Sequence, residues 1–300
     1  MGAQHRDNPP RPGPLPATSP PIVNAFTVDV EDWFQVAAFA DVIERSSWEA
    51  RECRVEPNVE RLLQLLEDSG IHATFFTLGW IAERHPTLVR RIVAGGHELA
   101  NHGHEHRMAS EQTPAEFRAD LTRAKATLED IGGTAVIGYR APSFSIGAAN
   151  LWAHDVVLET GHRYSSSIYP VKTDLYGSPD APRFAYRADN GLVEIPPTSL
   201  RAFGRNFPAS GGGYFRLLPY AVSRWCFARI NRSDAQSAIF YCHPWEIDPA
   251  QPRVAGARLK SRVRHYMNLH RTFGRIERLL GDFPWDRVDR VFAERIGGSE

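Results

Sequence analysis

Chemistry in this chain concentrates at Ala100-Asn101-His102-Gly103-His104-Glu105-His106, where three histidines occupy alternate positions. Neutral imidazole is the commonest protein ligand for a metal ion. His102 and His106 stand four apart, which suits one helical face or a short strand running into a tight loop. Alone, the stretch also fits a solvated loop, since the chain has 12 histidines. The other candidates lie far away in sequence. The apolar run Ile22 to Val30 ends in acids, with Asp29 inside it and Glu31 and Asp32 just after, Arg140 closes AVIGYR, and His243 follows SAIFYC. Each of these apolar segments reads as a strand that ends in a polar group.

The elements that must position these residues follow from periodicity. Beta-branched and aromatic runs predict buried strands at Ile22 to Val30, Ala73 to Leu78, AVIGYR, HRYSSSIYP, LVEIPPTSL and SAIFYC. Helices are expected from Pro57-Asn58 to Gly70, Pro86 to Ala94, Pro114 to Ile131, Asn150 to Thr160, Leu217 to Ile230 despite Pro219, and Leu259 to Leu280. Residues 171 to 187 carry few periodic signals and are expected to be irregular. Strand and helix alternating along one chain predict an α/β fold with parallel strands and outer helices, and the length favours a closed or nearly closed barrel. In such a barrel the C-terminal strand ends meet at one face. An acid and two histidines there make a 2-His-1-carboxylate set with open positions, suited to a Lewis-acid centre. The remaining carboxylate and His243 would then share general base and general acid roles, with Arg140 keeping the base ionised.

Composition narrows the remaining choices. The chain has 300 residues, 42% hydrophobic and 23% charged, and Lys+Arg 35 balances Asp+Glu 35. Zero net charge gives no support for a general nucleic-acid or anionic-membrane partner. The basic stretch 258 to 278 therefore reads as a solvated helix face. Cys53, Cys226 and Cys242 form no CxxC and suit a reducing compartment. No apolar run approaches the roughly 18 residues of a membrane span. The N-terminus lacks a basic-then-apolar leader, so a cytoplasmic location is expected. Residues 1 to 21 are Pro-rich and expected to be disordered. Residues 22 to 300 are expected to form one domain, with a helical segment from about 250 onward.

Five segments in this order carry a resemblance: TVDVED (27 to 32), ATFFTLG (73 to 79), GHELANHGHEH (96 to 106), GYRAPSF (138 to 144) and IFYCHP (239 to 244). Together they resemble polysaccharide deacetylases of the NodB-homology type, carbohydrate esterase family 4. The segments NFPASGGGYFRLLPY and HYMNLHRTFGRIERLL resemble the subgroup found in exosortase (PEP-CTERM) exopolysaccharide loci. The resemblance implies a distorted (β/α) barrel and a divalent metal, usually Zn2+. It also implies hydrolysis of N-acetyl groups from amino sugars of a free glycan or a lipid-linked oligosaccharide. Asp29 corresponds to the catalytic base, His102 and His106 to metal ligands, Arg140 to the residue positioning the base, and His243 to the general acid. Ile239 stands for the residue lining the acetyl pocket, and His104 is set aside.

Three departures are visible. The family's usual Asp-Asp is replaced by Asp29-Val30-Glu31-Asp32, making Glu31 the expected carboxylate ligand and Asp32 the alternative. Ser143 stands where an aromatic is common, leaving its backbone N–H as an oxyanion donor. Ser165 stands where many relatives carry an aspartate that supports the arginine. Trp33, Phe144, Tyr169 and Trp245 are aromatic candidates for sugar stacking, with ordinary packing as the other reading. Two rival functions stay open: hydrolysis of a cyclic amide or ureide, and a carbohydrate-binding barrel without catalysis.

Overall fold

A computed structural model describes residues 21–173 and 177–298. Residues 1 to 20 of the Pro-rich stretch expected to be disordered lie outside the described residues. Strand β1 (Asn24–Val30) is followed by α1 (Val55–Asp68), β2 (Thr74–Thr77), α2 (Gly79–Arg84), α3 (Pro86–Ala94), β3 (Glu98–Asn101) and α4 (Pro114–Gly132). Next come β4 (Gly138–Tyr139), α5 (Trp152–Glu159) and β5 (Tyr164–Ser165). A less regular region holds β6 (Tyr186–Arg187), β7 (Val193–Glu194) and the hairpin β8 (Ser199–Ala202) with β9 (Arg205–Pro208). Helices α6 (Gly212–Leu217) and α7 (Tyr220–Arg229) precede β10 (Ile239–Cys242). Helices α8 (Leu259–Tyr266) and α9 (Leu269–Asp282) and strand β11 (Trp285–Asp286) follow.

The main sheet runs β10-β1-β2-β3-β4-β5-β7-β6, with β11 paired to the start of β1. All neighbours are parallel except β6 against β7. The sheet curls into a half-barrel clad in helices. Every residue of β1 is buried, and its alternation sets the two faces. Phe26, Val28 and Val30 pack outward in the cluster that includes Leu62 and Leu66 of α1. Ala25 joins the inner cluster with Phe76, Ala100 and Tyr164, and Asp29 also points inward. Period-two geometry thus aims every second residue of the strand at the barrel interior.

The barrel is less closed than expected. On the side of β10 away from β1, irregular backbone takes the place of a strand. The Ile239 N–H donates to Thr198 Oγ1 at 2.6 Å, and the Tyr241 N–H donates to the Ser210 carbonyl at 2.8 Å. Gly211 makes this approach possible. Its φ is +145°, and a Cβ there would sit 1.9 Å from the Tyr241 carbonyl oxygen.

Two expected helices are changed: the one expected from Leu217 starts only at Tyr220, after a separate short helix, and the one from Leu259 to Leu280 is divided. Pro219 separates α6 from α7, standing at the N-cap of α7 with an extended ψ of 140°. The expected helix from Leu259 to Leu280 divides into α8 and α9 at Asn268, whose φ of 55° is left-handed; Asn tolerates that conformation better than most residues. Helix α1 begins at Val55, two residues before the expected Pro57, for a reason that lies in the site. Among the described residues no helix is long and apolar enough to cross a membrane.

Candidate active site

Three side chains converge at the C-terminal ends of β1 and β3. One potential ligand atom from each of Glu31, His102 and His106 lies within 4.8 Å of the others. The β3 strand delivers His102, and the loop after it brings back His106, whose φ is 51°. His102 Nδ1 is 2.8 Å from the Arg140 carbonyl oxygen, so it donates there and leaves Nε2 for the cluster. Burial pushes the His102 imidazole down to about 4, outweighing the nearby Asp29 carboxylate, and a neutral ring is what a ligand requires.

The Glu31 carboxylate is held at one oxygen only. Its Oε1 accepts from Trp245 Nε1 at 3.1 Å. Its Oε2 is buried with no hydrogen-bond donor aligned on it, although His106 Nε2 is 2.7 Å away. A buried carboxylate oxygen normally has a partner. Two lone-pair atoms facing one point suit a shared cation, so the donor set fits a zinc-type ion. Burial works to raise the Glu31 carboxyl, but His106, His243 and His102 overcome it and hold it below the usual carboxylate range.

Asp29 lies beside this set on the same strand. Arg140 Nη1 donates to Asp29 Oδ1 at 2.6 Å and to Thr27 Oγ1 at 2.7 Å. The guanidinium is fully buried. Its Nη2 donates to Ser166 Oγ at 3.0 Å, its Nε to the Ser166 carbonyl at 3.3 Å, and it lies 4.1 Å over the Phe76 ring. The second support that the aspartate-to-Ser165 change removes thus comes from the next residue.

His243, at the end of β10, faces both acids. Its Nε2 is 3.9 Å from Asp29 Oδ2 and 3.7 Å from Glu31 Oε1. Its Nδ1 donates to Glu246 Oε1 at 2.5 Å, and Glu246 Oε2 accepts from Arg216 Nε at 3.1 Å. Burial works to lower the imidazole, but Glu31, Glu246 and Asp29 outweigh it and push it up to about 9. That direction favours the protonated ring, the form that can give up a proton. Removing the Glu246 charge should lower this value. In metal-free protein, Glu246→Gln should move the His243 titration from about 9 toward the ordinary 6.5. Imidazole NMR checks this, and an unmoved titration would refute the assignment of Glu246 as the supporting charge. The sign for activity is fixed as well: a weaker hold on the proton brings the alkaline loss of turnover to lower pH.

Several expected positions fall elsewhere. Asp32 is not in the cluster. Its Oδ1 accepts from the Trp33 N–H at 2.7 Å, and its Oδ2 accepts from the N–H groups of Arg54 and Val55 at 2.5 and 2.9 Å. It caps the start of α1 and fixes where that helix begins. Ile239 lies deep in the inner cluster with Ala25, Val193 and Val288. Tyr241, two residues nearer the strand end, lines the cavity in its place. Trp245 is buried, with its ring stacked between His243 (5.2 Å) and His265 (4.1 Å), so it orients Glu31 and offers no open face to a sugar. Trp33, Phe144 and Tyr169 are also buried. Ser143 lies on the cavity wall with φ 55°. His104 is outside the triad, packed against Gly79 and 3.7 Å from Glu83.

Glu246, Arg216, Ser166 and Tyr241 are the functional neighbours missed by reading the sequence. The His243-x-x-Glu246 spacing is the one signal that could have revealed the first. Glu246, Arg216 and Tyr241 join Asp29, Glu31, His102, His106 and His243 around a cavity of about 130 Å3, walled further by Val36 to Ala38, Gly212, Gly213, Ser261 and Arg264.

Residues 49–164 match the family model described as Polysaccharide deacetylase. Residues 166–293 match one described as Domain of unknown function (DUF3473). His102, His106 and Arg140 fall in the first region, and His243 and Glu246 in the second. A peptidoglycan deacetylase of Helicobacter pylori is 28% identical over 113 residues, 38% of this chain and 38% of that protein. A chitooligosaccharide deacetylase of Bradyrhizobium sp. is 31% identical over 96 residues, 32% of this chain and 42% of that protein. The match thus spans less than half the length of these curated relatives. In solved structures, a polysaccharide deacetylase-type protein from Mycobacterium smegmatis superposes with a TM-score of 0.60 at 23% identity, covering 97% of this chain and 94% of that one. That likeness concerns the fold, and it extends through both matched regions. Residues 49–164 are thus a polysaccharide deacetylase domain of the NodB-homology type, set in a chain that shares its fold with the Mycobacterium smegmatis protein.

Proposed function

We propose that this protein hydrolyses the N-acetyl group of an amino sugar in a glycan or its lipid-linked precursor, releasing acetate and a free amine. Its setting would be exopolysaccharide biosynthesis, a reading supported by the resemblance of residues 206 to 220 and 265 to 280 to that subgroup. Glu31, His102 and His106 would hold a divalent ion, zinc by the chemistry of the donor set. When bound, the ion supplies Lewis-acid polarisation of the acetamide carbonyl and a lowered pKa for water.

The chain's own residues do the rest. Asp29 takes the proton of the attacking water. Arg140 holds the Asp29 carboxylate turned inward through its Nη1 hydrogen bond. The Ser143 backbone N–H donates to the oxyanion as the carbonyl becomes tetrahedral. His243 then gives its Nε2 proton to the departing nitrogen, while Glu246 accepts from Nδ1–H and keeps the ring oriented. The observation that carries this reading is the opposition of Asp29 and His243, 3.9 Å apart, beside the three-residue set.

The test is acetate release by metal-loaded protein from a panel of N-acetylated oligosaccharides, free and lipid-linked, with a cyclic ureide beside them. Acetate from an amino sugar is expected and turnover of the ureide is not. Bound metal with no acetate from any glycan would overturn the proposal.

A further inference from the structure

Zero net charge conceals an uneven surface around α8. Ser261 and His265, one turn apart, form the inward side of this helix: His265 is buried and Ser261 half-buried. The opposite side carries Leu259, 74% exposed, and Val263, 55% exposed, also one turn apart. Flanking this ridge are Arg258, Lys260, Arg262 and Arg264, all exposed. The run Arg258 to Tyr266 contains no acid; Arg258 also reaches Asp41, 3.1 Å away in a neighbouring loop. Beside α8, helix α6 exposes Leu217 and Tyr214. The two helices are tied by Arg216 Nη1 donating to the His265 carbonyl at 2.6 Å.

This combination is selective about its partner. A nucleic acid would use the cations and leave Leu259 and Val263 in water. A bilayer with anionic headgroups takes both, since aliphatic side chains enter the interface while Lys and Arg meet the lipid phosphates. Position adds to the argument. Ser261, Arg264 and His265 line the catalytic cavity, so α8 is one wall of its mouth, and the ridge is the outer side of that wall.

We propose that the α8 face, with Leu259 and Val263 between Arg258, Lys260 and Arg262, docks the protein reversibly on an anionic lipid bilayer with the cavity mouth at the membrane surface. Docking on two helical turns is shallow and depends on ionic strength. It does not depend on the hydrolytic reading, which is tested in solution without lipid.

The test is co-sedimentation of the metal-loaded full chain with phosphatidylcholine vesicles in which about a third of the lipid is phosphatidylglycerol, beside pure phosphatidylcholine vesicles, at low and high salt. Binding to the anionic vesicles at low salt is expected, with weaker binding to neutral ones and loss of binding in high salt. The double variants L259D/V263D and K260E/R262E should each weaken partitioning by about tenfold or more. Their melting temperatures and acetate release from a water-soluble oligosaccharide report that the fold is intact. No binding to anionic vesicles by the unsubstituted chain, or binding untouched by both double variants, would overturn the proposal. So would a dimer in light scattering that L259D/V263D dissociates, because a second copy would then cover the ridge. Salt-sensitive binding to duplex DNA without vesicle binding would assign the face to nucleic acid instead.

Discussion

Asp29→Asn should slow acetate release by about 10²- to 10⁴-fold, the range that a positioned general base contributes. Asparagine keeps nearly the same shape and still offers an oxygen to Arg140 Nη1, so substrate and metal binding should change little. The loss should therefore fall on kcat and leave KM nearly unmoved. A second consequence follows from burial. Arg140 is fully buried and its charge is balanced by Asp29 at 2.6 Å. Removing one partner of a buried pair leaves an uncompensated charge and costs on the order of 3 to 5 kcal/mol. The variant should thus melt well below the parent even though a hydrogen bond survives. Kinetics and a thermal melt on the same preparation check both effects. Turnover within tenfold of the parent would remove Asp29 from the role of base, and an unchanged melting temperature would show that the Arg140 charge is balanced by other groups.

His102→Ala should abolish stoichiometric metal binding and, with it, hydrolysis. Loss of a partner that merely orients a ligand costs about 10- to 100-fold in metal affinity, and loss of the ligand itself should exceed that. The remaining pair, Glu31 and His106, would leave the ion with one imidazole and one carboxylate. His104→Ala is the matching control. It removes a histidine from the same seven-residue stretch, but one that packs against Gly79 outside the triad. Metal content after dialysis, measured by mass spectrometry, distinguishes the two variants. A His102→Ala protein that retains one equivalent of zinc would place the ion elsewhere.

Much of this site is legible in the sequence, because each of its polar groups closes an apolar run. Asp29, Arg140 and His243 stand at or just beyond the ends of β1, β4 and β10, and His102 at the end of β3, so parallel pairing alone brings them together. Glu31 against Asp32 is not legible, because both are buried acids on the same turn. What separates them is the start of α1, where the free N–H groups of Arg54 and Val55, 22 and 23 positions after Asp32, take its carboxylate. Ile239 and Tyr241 share the inward phase of β10, and periodicity says nothing about depth. Trp245 reads as a sugar platform until His265, distant in sequence, covers its outer face. The break between α8 and α9 is hidden for a related reason: the apolar spacing continues through Asn268, and its left-handed backbone leaves no mark on that spacing. The close approach of irregular backbone to β10 is hidden too, because it rests on the missing side chain of Gly211.

The pairing of β1 with β10 also determines when the site can form. Thr27 donates to the Phe240 carbonyl across 213 positions of sequence, so the first strand synthesised waits for one of the last. By the time His106 has been made, Glu31, His102 and His106 are all present. At that stage β1 lacks the neighbour on one side, and its seven apolar-rich residues expose a bare hydrogen-bonding edge. Long-range parallel closures of this kind are slow and leave the chain open to edge-to-edge association meanwhile. During synthesis the chain therefore has the three side chains that could hold an ion well before the histidine proposed as proton donor. On the proposed reading the nascent protein could capture an ion long before it could turn over a substrate, and His243 joins the set only once β10 pairs with β1.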